Sequence, residues 1–224
     1  ALYEVDVQLR PSGRAGPVAV KISSFENYYR DDAWTWEFMA LTRIRPVTGD
    51  EELGRKIVDA ARNALRLKAV DPKITEDVSD MRRRMARERP SRSKWDVKLA
   101  PGGLVDIEFV IQHAILTSAA DVPAAVIPTS MDAIHALRDA GRLSAEDAAV
   151  LADGLSFQLN LQQVLRIATG DKFEPDLASA GLKAWLANHL AMKDFSELDA
   201  KLGAVQGSVA ELRTRKLGPL TTEP

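Results

Sequence analysis

The sequence contains no cysteine, only three histidines and no long apolar run. The absence of cysteine excludes disulfide bonds and zinc–thiolate sites, and it is typical of the reducing cytoplasm, where we expect the protein to act. His113, His135 and His189 are far apart in sequence and lack the paired spacing with which a helix binds a metal. No apolar run reaches the length that spans a bilayer, so we expect no membrane partner.

An excess of one charge is also missing, because 30 basic side chains stand against 32 acidic ones. With a pI near 6.0, the chain has no general field that would attract nucleic acid, and we expect no such partner. What is present is the composition of an ordinary globular protein, with 46% hydrophobic and 28% charged residues among 224. That length suffices for one large or two small domains with a core.

The first residues alternate apolar and polar side chains, which predicts a β-strand over residues 3–9. Asp6 lies on its polar face, and a turn rich in Gly, Pro and Arg follows at once. A strand-borne aspartate beside such a turn is typical of metal-dependent phosphoryl or nucleotidyl transfer, although the same alternation fits an edge strand with a solvated polar face. Because a strand needs neighbours for its backbone groups, we expect the sequence to be a piece of a longer protein, cut inside or just before a small sheet.

The rest of the sequence predicts helices. Residues 17–22 fit a second short strand, Ser23 with Glu26 fits a capping box, and residues 95–101 look extended. The expected fold class is therefore mainly α, with the tail of an α/β unit over 1–49, a helical domain over 50–217 and a flexible tail over 218–224. Apolar spacing and caps predict the helices over residues 33–43, 50–68, 74–89, 104–118, 131–140, 145–169, 176–192 and 195–216.

Two further segments carry candidate chemistry. In residues 10–16, glycines let backbone amides approach an anion while Arg10 and Arg14 add donors, although a plain hairpin turn is an equally good interpretation. In residues 98–109, a double glycine precedes a helix whose free N–H groups suit a ligand. Structural capping, with Asp106 complementing the helix dipole, is the alternative there.

The arginine run over 82–89 has the pattern of a solvated helix face. Acidic residues precede it on the same predicted helix, at Glu76, Asp77 and Asp80. We therefore expect these arginines to pair with nearby acids at the surface.

Four segments in this order resemble the bacterial glutamine synthetase adenylyltransferases. They read Tyr-Glu-Val-Asp-x-x-Leu-Arg-Pro-Ser-Gly over 3–13, Ala-Trp-Thr-Trp-Glu-x-x-Ala-Leu-x-Arg over 33–43, Val-x-x-Met-Arg-x-x-Met over 78–85, and Lys-x-x-x-Gly-Gly-x-x-Asp-Ile-Glu-Phe over 98–109. Members of this family add AMP to a tyrosine of glutamine synthetase and remove it again. The resemblance implies the end of a nucleotidyltransferase palm, with one or two short strands, followed by a helical bundle.

The resemblance also implies a chemistry. Enzymes of this type bind two Mg²⁺ ions about 3.5–4 Å apart with three carboxylates, and ATP is the substrate. Asp6 matches the third carboxylate and would be both catalytic residue and metal ligand.

Other positions follow from the same motifs. Arg10, Ser12, Arg14 and Lys98 are the expected triphosphate contacts. Asp106 and Glu108 are expected at the helical wall of the cleft. Trp34, Trp36 and Phe38 would fix their helix to the sheet.

The version of the second motif in Ala33–Glu37 indicates the adenylylating half of the bifunctional enzyme, in the C-terminal part of the family's chain. The Asp-x-Asp pair is absent, so we predict that the 224 residues alone transfer no AMP. Alternatives are the adenylyl-removing half, or a helical regulatory module that binds glutamine synthetase or a PII signalling protein. A PII uridylyltransferase relative is disfavoured by the same motif.

Overall fold

The computed structural model describes residues 10–122, 127–170 and 172–220, and within these ranges all regular structure is helical. A short 3₁₀ turn at Gly13–Ala15 precedes the α-helices. The α-helices are α1 (Ile22–Asp31), α2 (Thr35–Leu41), α3 (Glu51–Lys68), α4 (Ile74–Glu88), α5 (Leu104–Ser118), α6 (Ser130–Asp139), α7 (Ala145–Thr169), α8 (Ala180–His189) and α9 (Phe195–Leu217).

Local sequence chemistry explains where several helices begin. The Asp50 carboxylate accepts a hydrogen bond from the Leu53 N–H at 2.8 Å, and this bond caps α3. Ser144 and Asp194 cap α7 and α9 in the same way. Each cap satisfies a backbone donor that has no partner inside its helix.

The prediction of a mainly α fold is confirmed by the helices of the described residues, and most predicted bounds lie within a few residues of the observed ones.

Two local expectations are wrong. Residues 17–21 form no strand, and α1 already begins at Ile22 with Lys21 as its N-cap, so Ser23 is not the cap. Residues 94–103 consist largely of consecutive turns rather than an extended segment. The predicted strand over residues 3–9 lies outside the described residues.

The described residues divide into two compact units. Unit one comprises those of residues 1–78 and 112–142, and unit two comprises those of 79–111 and 143–224. The predicted boundary near residue 50 is not tested by this division and stays a prediction. In the described ranges, no helix has both the length and the apolar character needed to cross a membrane.

In unit one, α1 and α2 pack on α3. The small side chains Ala60, Ala61 and Ala64 let the helices approach closely, and the buried Leu65 and Phe38 fill the contact. In unit two, α7, α8 and α9 pack together around buried leucines. These leucines include Leu151, Leu155, Leu161, Leu186, Leu198 and Leu202.

Candidate functional site

Asp6, the predicted catalytic residue and metal ligand, lies outside the described residues. The turn that follows it is described, and it closes on itself. The Arg10 guanidinium donates to the Gly16 carbonyl from Nε at 3.4 Å and from Nη2 at 3.3 Å. The Gly13 N–H donates to the Arg10 carbonyl at 2.8 Å. Ser12 and Arg14 are exposed, so their side chains are accessible from solvent.

The motif Ala33–Glu37 places its polar members inside unit one. The buried Glu37 carboxylate accepts from the Tyr28 hydroxyl at 2.7 Å and from the Trp34 N–H at 2.9 Å. The buried Thr35 hydroxyl donates to Asp77 of α4. Desolvation raises the pKa of Tyr28, and its hydrogen bond to Glu37 raises it further. These bonds tie α1, α2 and α4 together.

The two tryptophans of this motif are exposed in the described structure. The sheet to which they were expected to fix the helix lies outside the described residues, so that expectation stays a prediction. Trp34 is 72% exposed and Trp36 is 44% exposed, whereas Phe38 is buried. The helix expected over residues 33–43 included Trp34. Trp34 is instead the extended N-cap residue, so its side chain leaves the helical register before α2 begins.

The double glycine of residues 98–109 is a place of close backbone approach within unit two. A Cβ atom on Gly102 would lie 1.8 Å from the Gln206 carbonyl oxygen, and Gly102 has φ +75°. A Cβ atom on Gly103 would lie 2.6 Å from the Val97 carbonyl oxygen. No larger residue fits either position without a shift of backbone, so packing explains both glycines.

Buried amide side chains hold the same loop. Gln158 of α7 donates to the Gly102 carbonyl at 2.9 Å. Gln206 of α9 donates to the Lys94 carbonyl at 2.8 Å. The Lys94 ammonium pairs with Asp199 at 2.7 Å. Residues 94–103 are therefore fixed at both ends by side chains from distant helices.

Asp106, expected at a cleft wall, is completely buried and fully engaged inside unit two. Its Oδ1 accepts from Arg82 Nε at 2.6 Å, and its Oδ2 accepts from the Gly102 N–H at 2.6 Å. Arg213 Nε lies 3.6 Å from the same Oδ2. Burial lowers the pKa of the Arg213 guanidinium, with the Asp106 charge opposing the shift and the Arg82 charge adding to it. The immediate chemistry of Asp106 is to hold the double-glycine turn against two buried arginines.

Arg82 is the exception within the arginine run. Its side chain is only 2% exposed, so the expectation of a solvated face is wrong for it. It lies on the buried side of α4, one turn beyond the completely buried Val78. Arg83 pairs with Asp80, as expected.

Lys98 and Glu108 also belong to unit two. Lys98 is exposed and lines a cavity of about 560 Å³, together with Arg92, Arg166 and Lys172. Glu108 is half-buried on α5. The structure thus groups Arg10, Ser12 and Arg14 in one turn of unit one, and Lys98, Asp106 and Glu108 around residues 94–108 of unit two.

Gln158, Gln206 and Arg213 were not predicted from the sequence, although a signal exists. Each is a polar residue inside an otherwise apolar helical stripe. In α9 the stripe runs Leu198, Leu202, Gln206, Val209, Arg213 and Leu217. A polar side chain at such a position has to find a buried partner. Among the described residues, no group of three or more histidine, aspartate or glutamate side chains is suited to hold a metal ion.

Comparison with known families defines the class first. A sequence model described as GlnD PII-uridylyltransferase matches residues 69–214, and one described as glutamate-ammonia ligase adenylyltransferase matches residues 1–60. Residues 69–214, which form most of the helical part, are therefore also similar to proteins described as PII uridylyltransferases. Relatives that match nearly the whole chain share the name bifunctional glutamine synthetase adenylyltransferase/adenylyl-removing enzyme.

Three of these relatives illustrate the similarity. The protein of Bradyrhizobium diazoefficiens is 38% identical over 93% of the chain. Those of Xanthobacter autotrophicus and Rhodopseudomonas palustris are 39% and 37% identical over 96% and 97%. The chain belongs to the glutamine synthetase adenylyltransferase family, as its motifs indicated. It spans about a fifth of the length of these relatives, between 21% and 22%.

Proposed function

We propose that this chain is part of an enzyme that transfers AMP from ATP to a tyrosine of glutamine synthetase and so regulates nitrogen assimilation in the cytoplasm. The observation that carries the proposal is the identity of 37–39% over 93–97% of the chain with relatives named for this pair of activities. The four motifs support it, since they occur in the family's order. The PII-uridylyltransferase description of the model that matches residues 69–214 supports a PII signalling protein as a second partner.

We assign the chain to the adenylylating half on the motif Ala33–Glu37. Its side chains support the integrity of unit one, because Thr35 and Glu37 are buried and bonded to Asp77 and Tyr28. The adenylyl-removing half has the same ancestry and is the alternative. The second candidate is a docking role, in which residues 50–217 would bind glutamine synthetase or a PII protein without taking part in catalysis. The family match over residues 69–214 favours this role.

Asp6 is the proposed catalytic residue and magnesium ligand, on the resemblance of residues 3–13. The described residues contain no group of carboxylates fit for Mg²⁺. Arg10, Ser12, Arg14 and Lys98 are the proposed phosphate contacts. The exposure of Ser12, Arg14 and Lys98 supports this role, whereas Arg10 is occupied in holding the turn. Asp106 supports the site indirectly by fixing the loop that carries Lys98.

The decisive test uses the enzyme with its upstream sequence restored. AMP incorporation into glutamine synthetase is measured by intact mass with Mg²⁺-ATP, for the natural sequence and for Asp6→Asn. We expect incorporation that the substitution abolishes while the circular dichroism spectrum stays unchanged. Release of AMP from modified glutamine synthetase, without incorporation, would instead assign the removing half. Absence of both activities would favour the docking role.

A further inference from the structure

Unit two contains a cavity that the proposed function does not use except at Lys98. It is lined by the loop after α4, by the last turns of α7 and by residues 172–176, and its volume is about 560 Å³. Small-molecule sites in proteins typically measure roughly 300–1,000 Å³. We call it the basic cavity after its four cationic side chains, Arg92, Lys98, Arg166 and Lys172.

The four cations come from separate parts of the chain and meet around one concavity. Arg92 and Lys98 come from the loop after α4, Arg166 from α7, and Lys172 from the segment beyond it. Among the described residues none of the four takes part in an ion pair, whereas Lys94 of the same loop pairs with Asp199. Three carboxylates, those of Asp96, Glu174 and Asp176, line the same cavity. Because none of the four cations is held in an ion pair, their N–H donors remain available to a bound anion.

Helix electrostatics do not account for this arrangement. Arg166 lies in the last turn of α7, where a cation complements the helix dipole. Arg92, Lys98 and Lys172 lie outside all described helices. The effect of a dipole falls off within the last turn, so three of the four cations are left without that explanation.

The acidic lining narrows the class of ligand. Asp96 is occupied, since its carboxylate accepts the Leu99 N–H at 3.1 Å. Glu174 and Asp176 also line the cavity. A bare phosphate ion would bring only further negative charge against these two carboxylates, whereas a nucleotide adds the neutral donors of its ribose hydroxyls and base amine beside its phosphates. The half-buried Phe173 adds an apolar wall, with its ring centroid 4.8 Å from that of the buried Trp95.

One part of the cavity wall, formed by residues 95–98, belongs to a segment that other parts of unit two hold in place. Residues 94–103 are held at Lys94 by Gln206 and at Gly102 by Asp106 and Gln158. Trp95 stacks on Phe195 with an interplanar angle of 8° and centroids 5.1 Å apart. A loop that is ordered before binding loses little conformational entropy when a ligand arrives.

We propose that the basic cavity binds a nucleoside polyphosphate, with the phosphates against its four cations and the nucleoside against Phe173, Glu174 and Asp176. The site extends the proposed function at Lys98, the one residue they share, and requires neither Asp6 nor a metal ion. It is built entirely from residues of unit two.

The test is calorimetric titration of the 224-residue chain with ATP, AMP and pyrophosphate in the presence of EDTA. Each charge-assisted contact that is lost costs a measurable share of affinity. We therefore expect ATP to bind about tenfold more tightly than AMP, and Arg166→Ala or Lys172→Ala to weaken ATP binding about fivefold to tenfold. The matched control is Lys73→Ala, an exposed cation of unit one, which is expected to leave the affinity unchanged.

Several results would overturn the proposal. These are an absence of ATP binding, equal affinity for AMP and ATP, or a loss of binding in Arg14→Ala but not in Arg166→Ala. Pyrophosphate binding as tight as that of ATP would overturn the nucleoside part. Circular dichroism of each variant excludes unfolding as the cause. AMP incorporation by the enzyme with its upstream sequence restored, and its loss in Asp6→Asn, is a separate measurement, so failure here and failure of the proposed function are distinguishable.

Discussion

Asp106 shows at the residue scale how a motif position can be required by structure. Its two carboxylate oxygens face Arg82, Arg213 and the Gly102 N–H, and no solvent reaches it. Two buried cations share this one carboxylate. Removing one partner of a buried ion pair leaves a charge without compensation in a region of low dielectric constant.

We therefore expect Asp106→Asn to lower the free energy of unfolding by about 3–5 kcal/mol. The matched control is Asp59→Asn, which breaks only the surface pair with Arg62 and should cost less than about 1 kcal/mol. Urea unfolding followed by circular dichroism measures both. Equal losses in the two variants would contradict the role assigned to Asp106.

Gly102 and Gly141 form a natural pair for separating steric contact from backbone strain. Both have positive φ, +75° and +69°, but an added Cβ atom meets the Gln206 carbonyl at 1.8 Å in the first case and no atom within 4 Å in the second. We expect Gly141→Ala to cost about 1 kcal/mol, from strain alone. Gly102→Ala should cost clearly more, above about 3 kcal/mol, because backbone has to move. Thermal unfolding of both variants tests the difference.

At the scale of elements, α2 and its N-cap expose two tryptophans, Trp36 and Trp34, and bury the neighbouring polar side chains Thr35 and Glu37. Phe38 is 4% exposed and packs in the core of unit one, while Trp34 is 72% exposed. Phe38→Ala should lower the free energy of unfolding by about 3–5 kcal/mol. Trp34→Ala should change it by less than about 0.5 kcal/mol. Chemical denaturation of the two variants decides whether the exposed tryptophan stabilises the fold.

The tyrosines of α1 give the chain a pH dependence in the alkaline range. Desolvation raises the pKa of both Tyr28 and Tyr29 above the ordinary value of 10.0. The unfolded chain then releases these protons at lower pH than the folded chain does. The contribution of the two protonated tyrosines to the free energy of unfolding is therefore complete below pH 10.0. It is lost as the pH rises through the pKa values that the tyrosines have in the folded chain.

We accordingly expect the urea midpoint to fall as the pH is raised above about 10, and Tyr29→Phe to reduce this slope. Urea titrations between about pH 8 and 11 test this, since unperturbed side chains of this type titrate near 10. A slope unchanged in Tyr29→Phe would show that other groups cause the loss.

At the scale of the whole molecule, the chain is a fifth of the length of its relatives and its described residues offer no metal-binding group. We expect the 224 residues alone to incorporate no AMP into glutamine synthetase with Mg²⁺-ATP, because the Asp-x-Asp pair is absent from the sequence. Intact mass of glutamine synthetase measures this. The enzyme with its upstream sequence restored serves as the positive control. Any AMP incorporation by the 224 residues alone would contradict the prediction.

Much of the fold could be predicted from the sequence because its determinants are local. Asp50, Ser144 and Asp194 cap helices three residues from their partners, and apolar spacing marks the helical faces. The family could also be identified from the sequence, since the order of the four motifs along the chain is visible without a structure. The contacts and burial of single side chains could not be predicted in the same way. Arg82 looked like its exposed neighbours, and Trp34 looked helical.

The sequence by itself determined most of the helices, the mainly α class and the family. Only the tertiary structure decided that Asp106 is enclosed by Arg82 and Arg213, that Gly102 leaves room for the Gln206 backbone, and that four cations from separate segments line one cavity. The physical reason is the difference in sequence separation between the interacting residues. Caps and helical periodicity act over three to four residues, whereas burial of a charge depends on neighbours more than a hundred residues away, as Arg213 is from Asp106.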